Sequence, residues 1–126
     1  MLRPFTALAA FADEMMEVAI LLREVEEARL REGPEALLKR LRPLGAKRAP
    51  RTLSQRQRLS RNVTRIDRLL HGESNCYRRS LVQVALDRDA ASQPFVLGLD
   101  VPASGVKGHA WLEGNERAGF DVEFRL

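Results

Sequence analysis

An α+β fold, with N-terminal helices followed by a helix bearing the lone cysteine and a small antiparallel sheet, is what this sequence predicts. Three observations carry the prediction. Apolar residues recur at spacings of three and four as far as residue 86, the helical period. From Pro94 onward the period changes to a strand-like one. Breakers separate the helical runs at Gly33-Pro34, at Pro43 with Gly45, and across the polar stretch 71–75. Helices first and strands last is an α+β order. The 126 residues suit one domain, 1–126, with a helical part over 1–72 and a core over 73–126.

Residues 5–31 read as a long amphipathic helix. Phe5, Leu8, Phe11, Met15, Val18, Leu22 and Val25 form its stripe, and Thr6 is the expected N-cap. Asp13, Glu14 and Glu17 follow the run FTALAAFA at once, which argues against a secretory signal. Pro34 suits the first position of a second helix, whose apolar side is Leu37, Leu38 and Leu41. Pro43 and Gly45 are expected to break that helix and open a loop over 43–52.

Ser54 with Gln57 makes a capping-box pattern for a third helix running to about Leu70. Leu59, Val63, Ile66 and Leu70 are its buried stripe, with Arg56, Arg58, Arg61, Arg65 and Arg68 mostly outside. After the turn at 71–75, a helix from Cys76 to Leu86 carries Leu81, Val82, Val84, Ala85 and Leu86. Strands are expected over 94–101, 108–113 and 118–124.

Composition excludes several classes of function. One cysteine rules out an intrachain disulfide framework and a multi-cysteine zinc site, and two histidines add little, so no metal or cofactor is expected. No apolar run approaches eighteen residues, so no membrane span is expected, and the low cysteine content points to the cytoplasm. The net charge of +4 hides a segregation: residues 1–36 balance to −4, residues 37–79 to +11 and residues 80–126 to −3. A +11 block could neutralise phosphates. It holds no aromatic residue for base stacking before Tyr77, however, and no metal finger or RNA-recognition motif accompanies it.

The last two strands are expected to form a hairpin. Matching their apolar faces requires a connection of odd length, which Gly114-Asn115-Glu116 supplies. Glu113 then pairs with Arg117, Ala110 with Phe120, and His109 falls opposite Asp121. That last pair is either a weak surface contact or a carboxylate orienting a working imidazole. Cys76 is the only thiol, placed where a turn becomes a helix. Lone cysteines are often small buried hydrophobes. Here Ser74 and Asn75 make the surroundings polar, and helix N–H groups favour a thiolate. Cys, His and Asp together suit nucleophilic acyl transfer.

The segments NCYRRSLVQVAL (75–86), FVLGLDV (95–101) and GHAWLE (108–113), with an acid twelve residues after His109, resemble the lasso-peptide leader peptidases. These are the proteases of lasso-peptide biosynthesis, with a transglutaminase-like fold related to papain. Cys76, Arg79, Ser80 and Leu81 match the first motif, Gly98 the second, His109, Ala110 and Trp111 the third, and Asp121 the acidic position. Tyr77 stands where the family often has an aliphatic residue, and Gly108 where alanine commonly precedes the histidine. The likeness is detailed over about residues 53–126 and loose before that.

The resemblance implies Cys76 as nucleophile, His109 as general base and acid, and Asp121 as its orienter, with Glu123 on the same face as the fallback. It implies a precursor-peptide substrate, a separate leader-recognition protein and a cyclase as partners, and no nucleic acid. The chain looks like the split form of the peptidase, without a leader-recognition domain. Tyr77, Trp111 and Arg79 are candidates to line the site, with core packing the alternative for Trp111 and a salt bridge to an acid on the sheet the alternative for Arg79. Arg58 and Arg65 are candidates to dock a partner or an acidic leader, unless the basic block is simply a solvated helix face. The competing readings are a basic nucleic-acid-binding domain and a catalytically inactive adaptor on the same fold.

Overall fold

The computed structural model describes the backbone of residues 4–100, 107–112 and 122–126, and side chains over 10–99, 108–112 and 123–126. The first helix, α1 (Pro4–Arg29), begins two residues ahead of Thr6, which therefore lies inside the helix and does not cap it. Pro4 suits a first turn, where the N–H it lacks would have no intrahelical acceptor. Val18, Leu22, Val25 and Ala28 are buried, but Phe11 is 47% exposed. The side chains of Phe5 and Leu8 lie outside the described residues.

Helix α2 (Pro34–Ala46) passes through Pro43 and Gly45 and is not broken by them. An interior proline costs about 3 kcal/mol. Burial of Leu37, Leu38 and Leu41 outweighs it, at about 1.5–3 kcal/mol each. Gly45 lets α2 lie against the later helices, since a methyl group there would stand 1.9 Å from the Val84 carbonyl oxygen. The connecting loop accordingly shrinks to residues 47–52.

Helix α3 (Leu53–His71) uses Thr52 and Gln55 as its capping box, in place of the expected Ser54 and Gln57. The Gln55 N–H donates to Thr52 Oγ1 at 3.2 Å, and the Thr52 N–H donates to Gln55 Oε1 at 2.8 Å. The start is set by the preceding Arg51, which donates to the Leu86 carbonyl oxygen at 3.2 Å and to Glu14 Oε1 at 2.7 Å. Leu59, Val63 and Ile66 are buried as expected, but Leu70 is largely exposed, and the polar Asn62 and Asp67 complete the inner face.

Helix α4 (Cys76–Leu86) has the expected bounds and is the centre of the core. Leu81, Val82, Val84, Ala85 and Leu86 are buried against α1, α2, α3 and the short α5 (Arg88–Ser92). Nothing in the apolar spacing marks α5, which is only five residues long. Asp87 caps it by accepting the Asp89 N–H at 3.1 Å, and Arg56 Nε donates to the same buried carboxylate at 2.8 Å.

Three antiparallel strands follow: β1 (Phe95–Asp100), β2 (Lys107–Leu112) and β3 (Val122–Arg125), in the spatial order β2-β1-β3. The expected hairpin is therefore overturned among the described residues, because β3 pairs with β1 and not with β2. The physical reason lies in β1. Its run Phe95-Val96-Leu97 is apolar on both faces, with Phe95 and Val96 fully buried, as a central strand requires. The strands that carry polar residues, β2 and β3, flank it. Phe95, Leu97, Ala110 and Leu112 join the helical core on one face. Val96 with Trp111 and Gly98 with His109 share the other.

Candidate active site

Cys76 is the first residue of α4, and the turn that delivers it is tightly built. Gly72 ends α3 with a left-handed φ of 80°, a conformation suited to glycine. Asn75 then caps α4, its Oδ1 accepting the Arg78 N–H at 3.0 Å. Beneath the turn lies a charge network absent from the sequence reading. Asp67 is fully buried and accepts the Asn75 N–H at 2.8 Å and Arg78 Nε at 2.5 Å. His71 Nδ1 lies 3.1 Å from Asp67 Oδ1.

Arg78, only 4% exposed, also donates to Glu26 Oε2 at 2.6 Å and to the Glu73 carbonyl oxygen at 3.2 Å. One guanidinium thus ties α1, α3 and the turn to the cysteine helix. The Arg29 hydrogen bond, with Arg78 assisting against the opposing effect of burial, lowers the Glu26 carboxyl to about 2. One signal for the network was present in the sequence: Asp67 is an acid inside the +11 block, adjacent to Ile66 and four residues after Val63 on the apolar stripe.

The sulfur faces the sheet at its β2 side. Phe95 exchanges both backbone hydrogen bonds with Leu126, so its polar groups point toward β3. By alternation, Leu97 does the same, and the Ala110 N–H opposite it points away from β1. That N–H donates to Cys76 Sγ at 3.3 Å. The amide belongs to the peptide joining His109 to Ala110, so the only thiol rests against the backbone of the candidate histidine.

Cys76, Tyr77, His109 and Phe124 line a common cavity of about 360 Å³. Tyr77 packs edge-on to Phe95, with ring centroids 5.9 Å apart, and burial raises its hydroxyl above the ordinary range despite the opposing Arg29 charge. Trp111 is buried and lines a second cavity beside Cys76, together with Arg79.

Asp121 lies outside the described residues. Glu123 sits opposite Gly98 on β3, on the face that carries His109, but β1 intervenes. Two strand spacings, about 10 Å, separate the backbones of His109 and Glu123. Arg79 makes no salt bridge to the sheet among the described residues. It faces α3, donating to Thr64 Oγ1 at 3.2 Å and to the Asn75 carbonyl oxygen at 3.4 Å.

The segregated charges resolve into ion pairs between elements. Arg48 meets Glu17 at 2.6 Å, Arg51 meets Glu14 at 2.7 Å and Arg56 meets Asp87 at 2.8 Å. Arg58 lies 3.9 Å from Glu14, and Arg65 is exposed with no ion pair among the described residues. Among those residues no group of three or more His, Cys, Asp or Glu is placed to hold a metal ion, and no helix is long and apolar enough to cross a membrane.

A family model described as the transglutaminase-like superfamily matches residues 18–123, from the middle of α1 into β3. The chain belongs to that superfamily, and the match spans Cys76, His109 and Asp121. No curated relative and no solved structure gives a match.

Proposed function

We propose that this chain is a cysteine peptidase that removes the leader from a ribosomally made lasso-peptide precursor in the cytoplasm. The observation that carries the reading is the position of Cys76 Sγ, at a capped helix start and 3.3 Å from the amide that follows His109. In this mechanism the sulfur attacks the scissile carbonyl carbon, and His109 takes the thiol proton and gives it to the departing amine as the C–N bond breaks. Water then attacks the thioester, losing its proton to His109. The acid is released and the thiol restored. With the hairpin register gone, the family resemblance alone assigns Asp121 to orient the imidazole. The Cys76 N–H, at a helix position with no intrahelical acceptor, is suited to the oxyanion.

A separate leader-recognition protein presents the substrate, and a cyclase consumes the product. The exposed outer face of α3, with Arg58 and Arg65, is the docking surface; charge reversal there that leaves partner and leader affinity unchanged ends the docking idea. The central test incubates the protein with a candidate precursor and its recognition partner. Cys76→Ala and His109→Ala are each expected to lower cleavage by about 10⁴-fold or more relative to wild type. Cleavage that survives Cys76→Ala ends the cysteine-peptidase reading.

A further inference from the structure

Cys76 lies between two cavities of opposite character. The one of about 360 Å³ is walled by Tyr77, Leu97, Leu99 and Phe124, with His109 also lining it. The other, of about 260 Å³, is walled by Ser60, Thr64, Arg79, Ser80 and Gln83. Cys76 and Ala110 line both. A peptide whose carbonyl sits at the sulfur sends one flank into each.

His109 decides which flank goes where. The departing amine collects its proton from the imidazole. His109 lines the apolar cavity and not the polar one. The segment C-terminal to the cut bond therefore takes the apolar side, and the acyl segment, N-terminal to it, takes the polar side.

On that polar side Arg79 differs from its neighbours. Four other partly or fully buried arginines of the middle block meet side-chain carboxylates, Arg48 with Glu17, Arg51 with Glu14, Arg56 with Asp87, and Arg78 with Asp67 and Glu26, while Arg42 donates to the backbone oxygens of Gln93 and Leu126. Arg79 is half-buried too, yet both its acceptors are neutral, the Thr64 hydroxyl and the Asn75 carbonyl. No carboxylate pairs with it among the described residues. A guanidinium fork matches a carboxylate with two parallel hydrogen bonds.

We infer that Arg79 receives the carboxylate of an Asp or Glu side chain on the acyl side of the cut bond, in a peptide whose leaving side is apolar. This rests on the peptidase reading of Cys76 and adds the class of peptide it takes.

The test reads binding, so it does not depend on turnover. Immobilised Cys76→Ala protein is offered a mixture of random decapeptides at about 0.15 M salt, and the retained peptides are sequenced. Asp and Glu are expected to be enriched about tenfold over Asn and Gln at one fixed offset before an apolar residue. Adding Arg79→Gln erases that enrichment, Arg79→Glu turns it toward Lys and Arg, and Arg23→Gln, at an exposed arginine of α1 away from the site, leaves it in place. Reversed selection by Arg79→Glu comes only from a folded site.

Acid enrichment spread over all positions, or unmoved by Arg79→Gln, overturns the inference. A chain that binds with this preference but cuts no precursor keeps the Arg79 assignment and ends the peptidase reading. One that cuts with no charge preference does the reverse.

Discussion

The two halves of the candidate site are held by different forces. On the helical side, Cys76 stands on a turn whose amide, cap and guanidinium are fixed by the buried Asp67 and Arg78. On the sheet side, the backbone of His109 is placed by pairing with β1, opposite Gly98. The nucleophile is positioned by charge in a low-dielectric setting, where removing one partner is severe. The strand that carries the histidine is positioned by register, which side-chain substitutions disturb less.

Breaking the helical side gives the largest expected effect. Asp67→Ala leaves Arg78 buried beside Glu26 alone and frees the Asn75 amide, so a loss of about 3–5 kcal/mol in urea unfolding is expected, together with a loss of cleavage. A near-normal midpoint would mean that the turn holds without the network. Gly45→Ala separates stability from the site. It forces a methyl group against the Val84 carbonyl, for about 2–3 kcal/mol, while the folded fraction keeps its specific activity.

Acid provides a milder probe of the same network. The Glu26 carboxyl is lowered from 4.5 to about 2 in the fold, so its stabilising contribution is complete above about 4.5 and is lost as pH falls toward 2. Glu26→Gln should flatten the fall of stability over that window, as read by urea midpoints at successive pH values. The smallest effect is expected on the sheet. Glu123 and Arg125 form an exposed pair at 3.5 Å, so Glu123→Gln should change stability by less than about 0.5 kcal/mol and leave cleavage intact. Loss of cleavage in that variant would pass the orienting role from Asp121 to Glu123.

Periodicity made the order of α1 to α4 and of the strands, the approximate limits of α4 and the cysteine near its start legible in advance. What escaped did so for identifiable reasons. Pro43 reads as a breaker only until the burial of three leucines is weighed against one lost hydrogen bond. Thr52 and Ser54 both satisfy the capping pattern, and the choice depends on Arg51 reaching Glu14 and Leu86, partners distant in sequence. Five residues are too short a window for a helical period, so α5 was invisible. Alternation in the last strand suits a hairpin, but the unbroken apolar run at 95–97 marks β1 as the strand needing a neighbour on each side. At the site, Arg79 drew notice through its motif, while the ion-paired residue beneath Cys76 was the preceding Arg78.

The pairing of α1 acids with middle-block arginines also bears on how the chain assembles. Along α3, Arg58, Arg61, Arg65 and Arg68 succeed one another at three- and four-residue intervals, a spacing at which like charges oppose helix formation. Relief comes from outside the helix, from Glu14 beside Arg58 and from Asp87 beside Arg56. Cut free as a peptide, the 53–71 segment should therefore be mostly coil, and within the protein its helicity is conferred by docking. The +11 block thereby works as a cooperativity device: α3 becomes a helix only in the company of α1 and the end of α4.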